Sequence, residues 1–407
     1  MSDLGPTDVL FITHRTPYPP DKGDRIRTLH ILRYLARFSR VHLVTLTDEP
    51  VDPEAISVLG RLCARVAVFP VGRSRWAASL GSLLCGRSAS EGAFRSAALS
   101  ATVRSWSLAT PFGAAVASAS SVAHYLREPA LKAALKVVDV VDVDSQKWDD
   151  YSAFAAGPKA WLYALEARRV RRAEGTIGQW ADAVTLVSRG EANTFRKLTG
   201  AANVHAVTNG VDLDYFEPAA VGLENGCTFV GAMDYKPNAD AACWFARSVW
   251  PHVYRRWPEA NFTIVGRKPT RAVMALAGLP GVEVVGQVPD VRPYLAGSAI
   301  AVAPLRFARG LQNKVLEAMA SGKPVVASRP ALAGFAGRPD MPARCATEVE
   351  EWVDEIDRLL GDETERRRLG AAGRQYVETY HHWDACLEPL GRLLRRSPGP
   401  ALAGGTV

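Results

Sequence analysis

The sequence predicts an α/β fold of two domains, each a parallel sheet covered by helices on both faces. Three observations predict it. The 407 residues exceed what one hydrophobic core usually supports. Short apolar runs alternate with helix-length segments through both halves of the chain. Between the halves, residues 214–226 carry Pro218, Gly222 and Gly226 without sustained periodicity, which is the composition of a junction. The expected domains are residues 1–218 and 219–382. After a break at His381 and His382, residues 383–396 are expected to form a terminal helix that packs back on the first domain.

The first half opens with an apolar strand over residues 8–13 (DVLFIT) and a Pro- and Gly-containing loop over 17–23. A helical pattern follows, in which Ile26, Leu29, Ile31, Leu32, Leu35 and Phe38 recur near a period of 3.6. A second strand over 41–47 completes one β-α-β unit, and further strands are expected at 66–71, 137–143 and 183–187. The second half repeats the alternation, with strands at 227–231 (CTFVG), 261–266 (NFTIVG), 282–285, 299–303 and 324–327. A Pro/Gly-rich tail after Ser397 is expected to fray.

Apolar residues make up 48% and charged residues 22%, which excludes a disordered chain and fits a globular one. The net charge of +7 suits an anionic ligand, an anionic membrane surface or nucleic acid, without choosing among them. The arginine clusters at Arg168, Arg169, Arg171 and Arg172 and at Arg366, Arg367 and Arg368 read as solvated helix faces. Six cysteines lie too far apart for a zinc site or a redox dithiol, and are expected to be reduced and mostly buried. No signal-peptide pattern and no apolar stretch of about 18 residues occurs, so a cytoplasmic location is expected.

The segment RGLQNKVLEAMASGKPVVAS, residues 309–328, carries the most chemistry. Gly310 allows a tight turn, and Leu311, Gln312, Asn313 and Lys314 lead into a helix whose first amides lack partners within it. Free amides and the positive end of the helix dipole together attract a diphosphate. Further along, the Glu317 carboxylate can accept hydrogen bonds from paired ribose hydroxyls. Spacing alone fits equally well a helix packed through Val315, Leu316 and Met319, with Glu317 exposed by chance.

This segment resembles the donor-binding signature of family 4 nucleotide-sugar glycosyltransferases, most closely in LEAMASGKPVVAS. The resemblance implies the GT-B fold, two Rossmann-like domains with parallel sheets facing across a cleft. It departs from the family at Arg309, where the family has a Glu associated with the donor sugar. Arg309 and Lys314 can instead add positive charge beside a diphosphate.

Further segments extend the resemblance over nearly the whole chain. Residues 18–25 (YPPDKGDR) resemble the family's first-domain loop facing the donor phosphates, with Gly23 permitting close backbone approach. Asn209 to Asp212 (NGVD) resemble a motif at the end of the first domain. In FVGAMDYKPN, residues 229–238, Ala232 stands where the family has an Arg, and Lys236 remains as a phosphate contact. The resemblance also implies that Arg267 and the Gln287–Val288 backbone lie near the nucleotide base. Asp142 and Asp144 end a strand at the edge where α/β folds place ligands, so either can orient or deprotonate an acceptor hydroxyl. Asp144 fits a helix cap as well.

The opening HRTPYPPDKGDRIRTLHILRYLA, the DVDSQKW run and GLQNKVLEAMA most resemble the sugar transferases of exosortase-linked exopolysaccharide systems. The expected activity is transfer of a sugar from a nucleotide-sugar co-substrate to a glycan or lipid-linked acceptor. Retention of configuration is expected, with no metal, no cofactor and no nucleic-acid partner, and with peripheral contact at the inner face of an anionic membrane. The competing expectations are a nucleotide-sugar epimerase and a non-catalytic nucleotide-binding scaffold on the same fold.

Overall fold

The computed structural model describes residues 6–72, 75–219, 225–336 and 340–395. The chain divides into two units, Met1–Val207 with Leu387–Val407, and Thr208–Cys386.

The first unit holds a seven-stranded parallel sheet: β1 (Asp8–Thr13), β2 (Arg40–Thr47), β3 (Arg65–Pro70), β4 (Ala114–Ser118), β5 (Leu135–Val141), β6 (Ala183–Leu186) and β7 (Val204–Ala206). Their spatial order is β3-β2-β1-β4-β5-β6-β7, so the direction of winding reverses between β1 and β4. Val9 of β1 pairs with Val41 on one side and Ala114 on the other. Both faces of β1 are covered, which is why DVLFIT is a continuous apolar run rather than an alternating one. Helix Gly23–Leu35 buries Leu29, Ile31, Leu32 and Leu35 in this unit. The last helix, Trp383–Arg395, runs back into the same unit: the Tyr34 hydroxyl donates to Glu388 Oε2 at 2.9 Å.

The second unit holds a six-stranded parallel sheet: β8 (Cys227–Val230), β9 (Phe262–Val265), β10 (Val282–Gly286), β11 (Ile300–Ala303), β12 (Val325–Ala327) and β13 (Ala343–Cys345). The order is β10-β9-β8-β11-β12-β13, with reversal between β8 and β11. Phe229, Phe245, Trp250, Phe262 and Trp352 fill its core. Beyond β8 and β9 the backbones nearly touch. A Cβ on Gly266, whose φ is 155°, would lie 1.7 Å from the Gly231 carbonyl oxygen, so only glycine fits.

Several sequence expectations need correction. The units divide after Val207 rather than at 218/219, because residues from 208 on are bound into the second unit. There Asn209 Nδ2 donates to Asn313 Oδ1 at 2.9 Å, the Val211 amide donates to the His381 carbonyl at 2.8 Å, and Val211 and Phe216 join the core. The NGVD motif therefore opens the second unit instead of closing the first. All six cysteines are free, but only Cys227 and Cys386 are buried, while Cys85 and Cys345 are exposed. Strands β4, β7 and β13 were not anticipated. Residues 220–224 of the expected junction, residue 396 of the expected terminal helix and the tail after Ser397 lie outside the described residues.

Candidate functional site

In an open α/β sheet the crevice outside the carboxyl ends of the strands, where the winding reverses, is where ligands bind. In the second unit that point lies between β8 and β11, and two helices begin beside it, Lys236–Trp244 after β8 and Asn313–Ala320 after β11. Neither has a side-chain cap, since Tyr235 and Gln312 supply none at the N-cap positions. No side chain therefore competes with an anion at either start. Gly310 has φ 63° in the loop before the second helix, and Gln312 Nε2 closes that loop by donating to the Arg309 carbonyl at 2.9 Å.

Lys314 and Asn238 join the two helix starts. Lys314 Nζ donates to Asn238 Oδ1 at 2.6 Å and lies 4.5 Å from the Phe229 ring centroid, while Asn238 Nδ2 donates to the Ala232 carbonyl at 2.9 Å. Gly231 leaves room for this cluster, because a Cβ there would lie 2.7 Å from Asn238 Nδ2 and 3.1 Å from Lys314 Nζ. Helix Asn313–Ala320 buries Val315, Leu316, Ala318, Met319 and Ala320, which leaves half-buried Lys314 and Glu317 on its remaining face. The packing reading of this segment is thus met by one face of the helix, and Lys314 and Glu317 share the other. Burial pulls the Lys314 ammonium down to about 7 against the opposing charge of Glu317. Burial pushes the Glu317 carboxyl up to about 7 against the charge of Lys314. The Glu317 carboxyl makes no hydrogen bond among the described residues.

The other sequence candidates of this unit fall at the same edge of the sheet. Lys236 opens its helix, and the Arg267 carbonyl beyond β9 accepts from the Met233 amide at 2.9 Å. Half-buried Val288 follows β10, and half-buried Arg309 lies in the loop after β11. Leu311 packs against the core, and the Asn313 side chain is held by Asn209. Gly23 belongs to the first unit, where it opens helix Gly23–Leu35 without a left-handed φ.

The first unit has its own reversal point, between β1 and β4. His14 lies there, with Nδ1 3.3 Å from the Ser118 carbonyl oxygen and Nε2 3.1 Å from Asp24 Oδ2. Arg15 donates to the same Asp24 oxygen at 2.7 Å. Burial pushes the Asp24 carboxyl upward, but His14 and Arg15 more than offset this and hold it far below the usual range. Asp142 and Asp144 follow β5. Asp144 accepts from Ser120 Oγ at 2.8 Å and Lys147 Nζ at 2.6 Å, and these partners outweigh burial and lower its pKa. It therefore does not cap helix Asp144–Ala153. That part falls to Glu174, which accepts the Ser145 amide at 3.0 Å, while Glu191 accepts the Val143 amide at 2.8 Å. Burial, with Glu191 and Asp144 adding to it, raises Asp142 to about 7, and its buried Oδ1 has no hydrogen-bond partner.

Sequence reasoning missed His14, Asp24 and Glu174. The signal for His14 was present, because it directly follows the first strand and so lies on the same carboxyl edge that singled out Asp142 and Asp144. Among the described residues, no group of three or more His, Cys, Asp or Glu side chains can hold a metal ion.

Comparison with known proteins bears on this arrangement. Residues 224–362 match the family described as Glycosyl transferases group 1. A GDP-mannose-dependent monoacylated alpha-(1-6)-phosphatidylinositol monomannoside mannosyltransferase from Corynebacterium glutamicum is 26% identical over 249 residues. That match covers 54% of this chain and 64% of the relative, so it spans less than two thirds of the relative's length. Sucrose-phosphate synthase from Thermosynechococcus elongatus superimposes with a TM-score of 0.72 at 18% identity, over 96% of this chain and 98% of that one. Anabaena HepE in complex with UDP superimposes with a TM-score of 0.67 at 15% identity, over 95% and 99% of the two chains. These likenesses establish the fold as GT-B, with both sheets and their helices in common.

Proposed function

We propose, from the match of residues 224–362 to the glycosyl transferases group 1 family, that the chain is a glycosyltransferase that moves a sugar from a nucleotide-diphosphate donor to an acceptor hydroxyl. The observation that carries this reading is the Lys314–Asn238 contact, which joins two helix starts without side-chain caps at the reversal point of the second sheet. The amides of the two helix starts and the Lys314 ammonium suit a diphosphate, and the Glu317 carboxyl one turn along suits the ribose. In the proposed step the bond from the anomeric carbon to the phosphate oxygen breaks and the acceptor oxygen bonds to that carbon. The acceptor proton departs with the diphosphate. Charge building on the leaving group is met by amides, Lys314 and Lys236, without a metal or cofactor.

The finer reading follows from the resemblance of the sequence. The transfer retains configuration, the acceptor is a lipid-linked glycan of exopolysaccharide synthesis, and the enzyme works at the inner face of the membrane. Asp144, Asp142 and His14 orient the acceptor in this reading. Arg309, in place of the family's acidic residue, favours a second reading, a scaffold that binds nucleotide without turnover. An epimerase would isomerise the donor with no acceptor present.

Release of nucleoside diphosphate from a panel of nucleotide sugars tests the proposal. Turnover with at least one donor is expected. Glu317→Ala should lose it at least about tenfold, since a hydrogen bond to a charged group is worth about 1.5–3 kcal/mol. Undiminished turnover in that variant overturns the site assignment, and binding without turnover supports the scaffold.

A further inference from the structure

We propose that the hairpin formed by helices Asp144–Ala153 and Pro158–Trp180 is a docking surface for an anionic lipid bilayer. At its tip Phe154, Trp161 and Leu162 are 61%, 68% and 45% exposed. Beneath them Trp148, Tyr151 and Tyr163 pack ring against ring, with centroids 5.5–5.9 Å apart. The Ser152 hydroxyl ties the two helices by donating to the Ala160 carbonyl at 2.9 Å. The exposed side chains thus stand on a braced base, so presenting them costs little ordering on binding.

Charge identifies the occupant. Helix Pro158–Trp180 buries Glu166, Ala167, Val170, Glu174 and Ile177 on one face. Its only two acids are among them. Glu166 accepts from the amides of Ala89 and Ser90, both at 2.8 Å, and Glu174 accepts from the Ser145 amide. On the opposite face Arg168 and Arg172 follow Trp161 at seven and eleven residues, and all three are exposed. Lys159 adds a cation at the tip. The hairpin's acids at Asp149 and Asp150 lie on its first helix, where Asp149 pairs with Arg171, while the exposed face of the second helix carries Arg168 and Arg172 without an acid. An apolar, aromatic tip continued by those two exposed arginines matches lipid at the headgroup boundary, where Trp is favoured and each cation is drawn to anionic lipid. No described helix is long and apolar enough to cross a membrane, and the proposed contact is one of side chains with the bilayer surface. One helix of ten residues separates Asp144 from the tip, a rise of about 15 Å. The bilayer would therefore lie within reach of the acceptor-side residues.

This inference deepens the membrane part of the proposed function, but its test uses no donor or acceptor, so either can fail alone. The full chain is floated with vesicles of phosphatidylcholine alone or with one-third phosphatidylglycerol, at low and high salt. Flotation with the anionic vesicles only, weakened by salt, is the expected result. Trp161→Ser with Leu162→Ser, both exposed in the folded chain, should cut partitioning at least about tenfold at either salt. Arg168→Gln with Arg172→Gln should cut it at low salt and little at high salt. Failure of the parent chain to float, or unchanged flotation of both variants, overturns the proposal. So does a Trp161/Leu162 variant that changes oligomeric state while floating normally, which would assign the tip to a second copy of the chain.

Discussion

Lys314 and Glu317 sit three residues apart on one helix and have been pulled toward the same pH from opposite sides, both to about 7. That gives nucleotide binding a defined pH dependence. Lys314 attracts a diphosphate only when protonated, which holds below about 7, and Glu317 best accepts ribose hydroxyls when ionised, which holds above about 7. Affinity for UDP or GDP should therefore peak near neutrality and fall on both sides, by up to about tenfold per pH unit. Glu317→Gln should flatten the acid limb beyond what titration of the phosphate itself produces, and Lys314→Met should remove the alkaline limb. Calorimetric titration across the range checks this, and a parent curve unchanged by both substitutions would exclude these residues from the site. Glu317 was legible in the sequence because its whole motif is contiguous. The contact of Lys314 with Asn238, 76 positions away, was not, because a tertiary contact leaves no local pattern.

At the scale of elements, the first sheet is clamped from beneath by one buried carboxylate. Asp139 of β5, fully buried, accepts from Arg27 of helix Gly23–Leu35 at 2.7 and 2.8 Å, from Thr185 of β6 at 2.7 Å and from Ser118 of β4 at 3.4 Å. One side chain thus fixes a helix against three strands beside the reversal point. Arg27→Met leaves that charge without its guanidinium and should destabilise the first unit by about 3–5 kcal/mol, whereas Thr185→Val should cost only about 1 kcal/mol. Denaturant unfolding checks both, and equal small losses would show that the ion pair is not the anchor. None of this was readable beforehand. Arg27 and Asp139 are 112 positions apart, and each looks like an ordinary surface charge in its own segment. Strand β4 escaped for a different reason: AAVAS has almost no bulky or β-branched residues, so neither periodicity nor propensity marks it, although all five residues are buried. The bulky strands β1, β2 and β9 carried their own signal in their apolar runs, and were found to within a residue.

At the scale of the whole molecule, buried clusters of the two units draw on separate residues. Leu10, Val138 and Phe195 belong to one, Phe229, Trp250 and Trp352 to the other. A chain of two such units need not unfold in one step. Arg27→Met supplies a marker, because it should lower only the transition of the first unit. Against that marker a nucleoside diphosphate should raise only the other transition, since Lys314, Asn238 and Glu317 all lie in the second unit. At a hundred times its dissociation constant the ligand adds about 2.7 kcal/mol, a rise of roughly 5–10 °C for a unit of this size. The terminal helix sharpens the test: Trp383–Arg395 starts in the second unit and anchors in the first through Tyr34 and Glu388. Tyr34→Phe should lower the first transition slightly and leave the ligand-induced rise in the second untouched. If differential scanning calorimetry instead shows the diphosphate raising the marked transition, the ligand binds the His14 side of the chain. The assignment of the diphosphate to Lys314 and the uncapped helix starts would then be wrong.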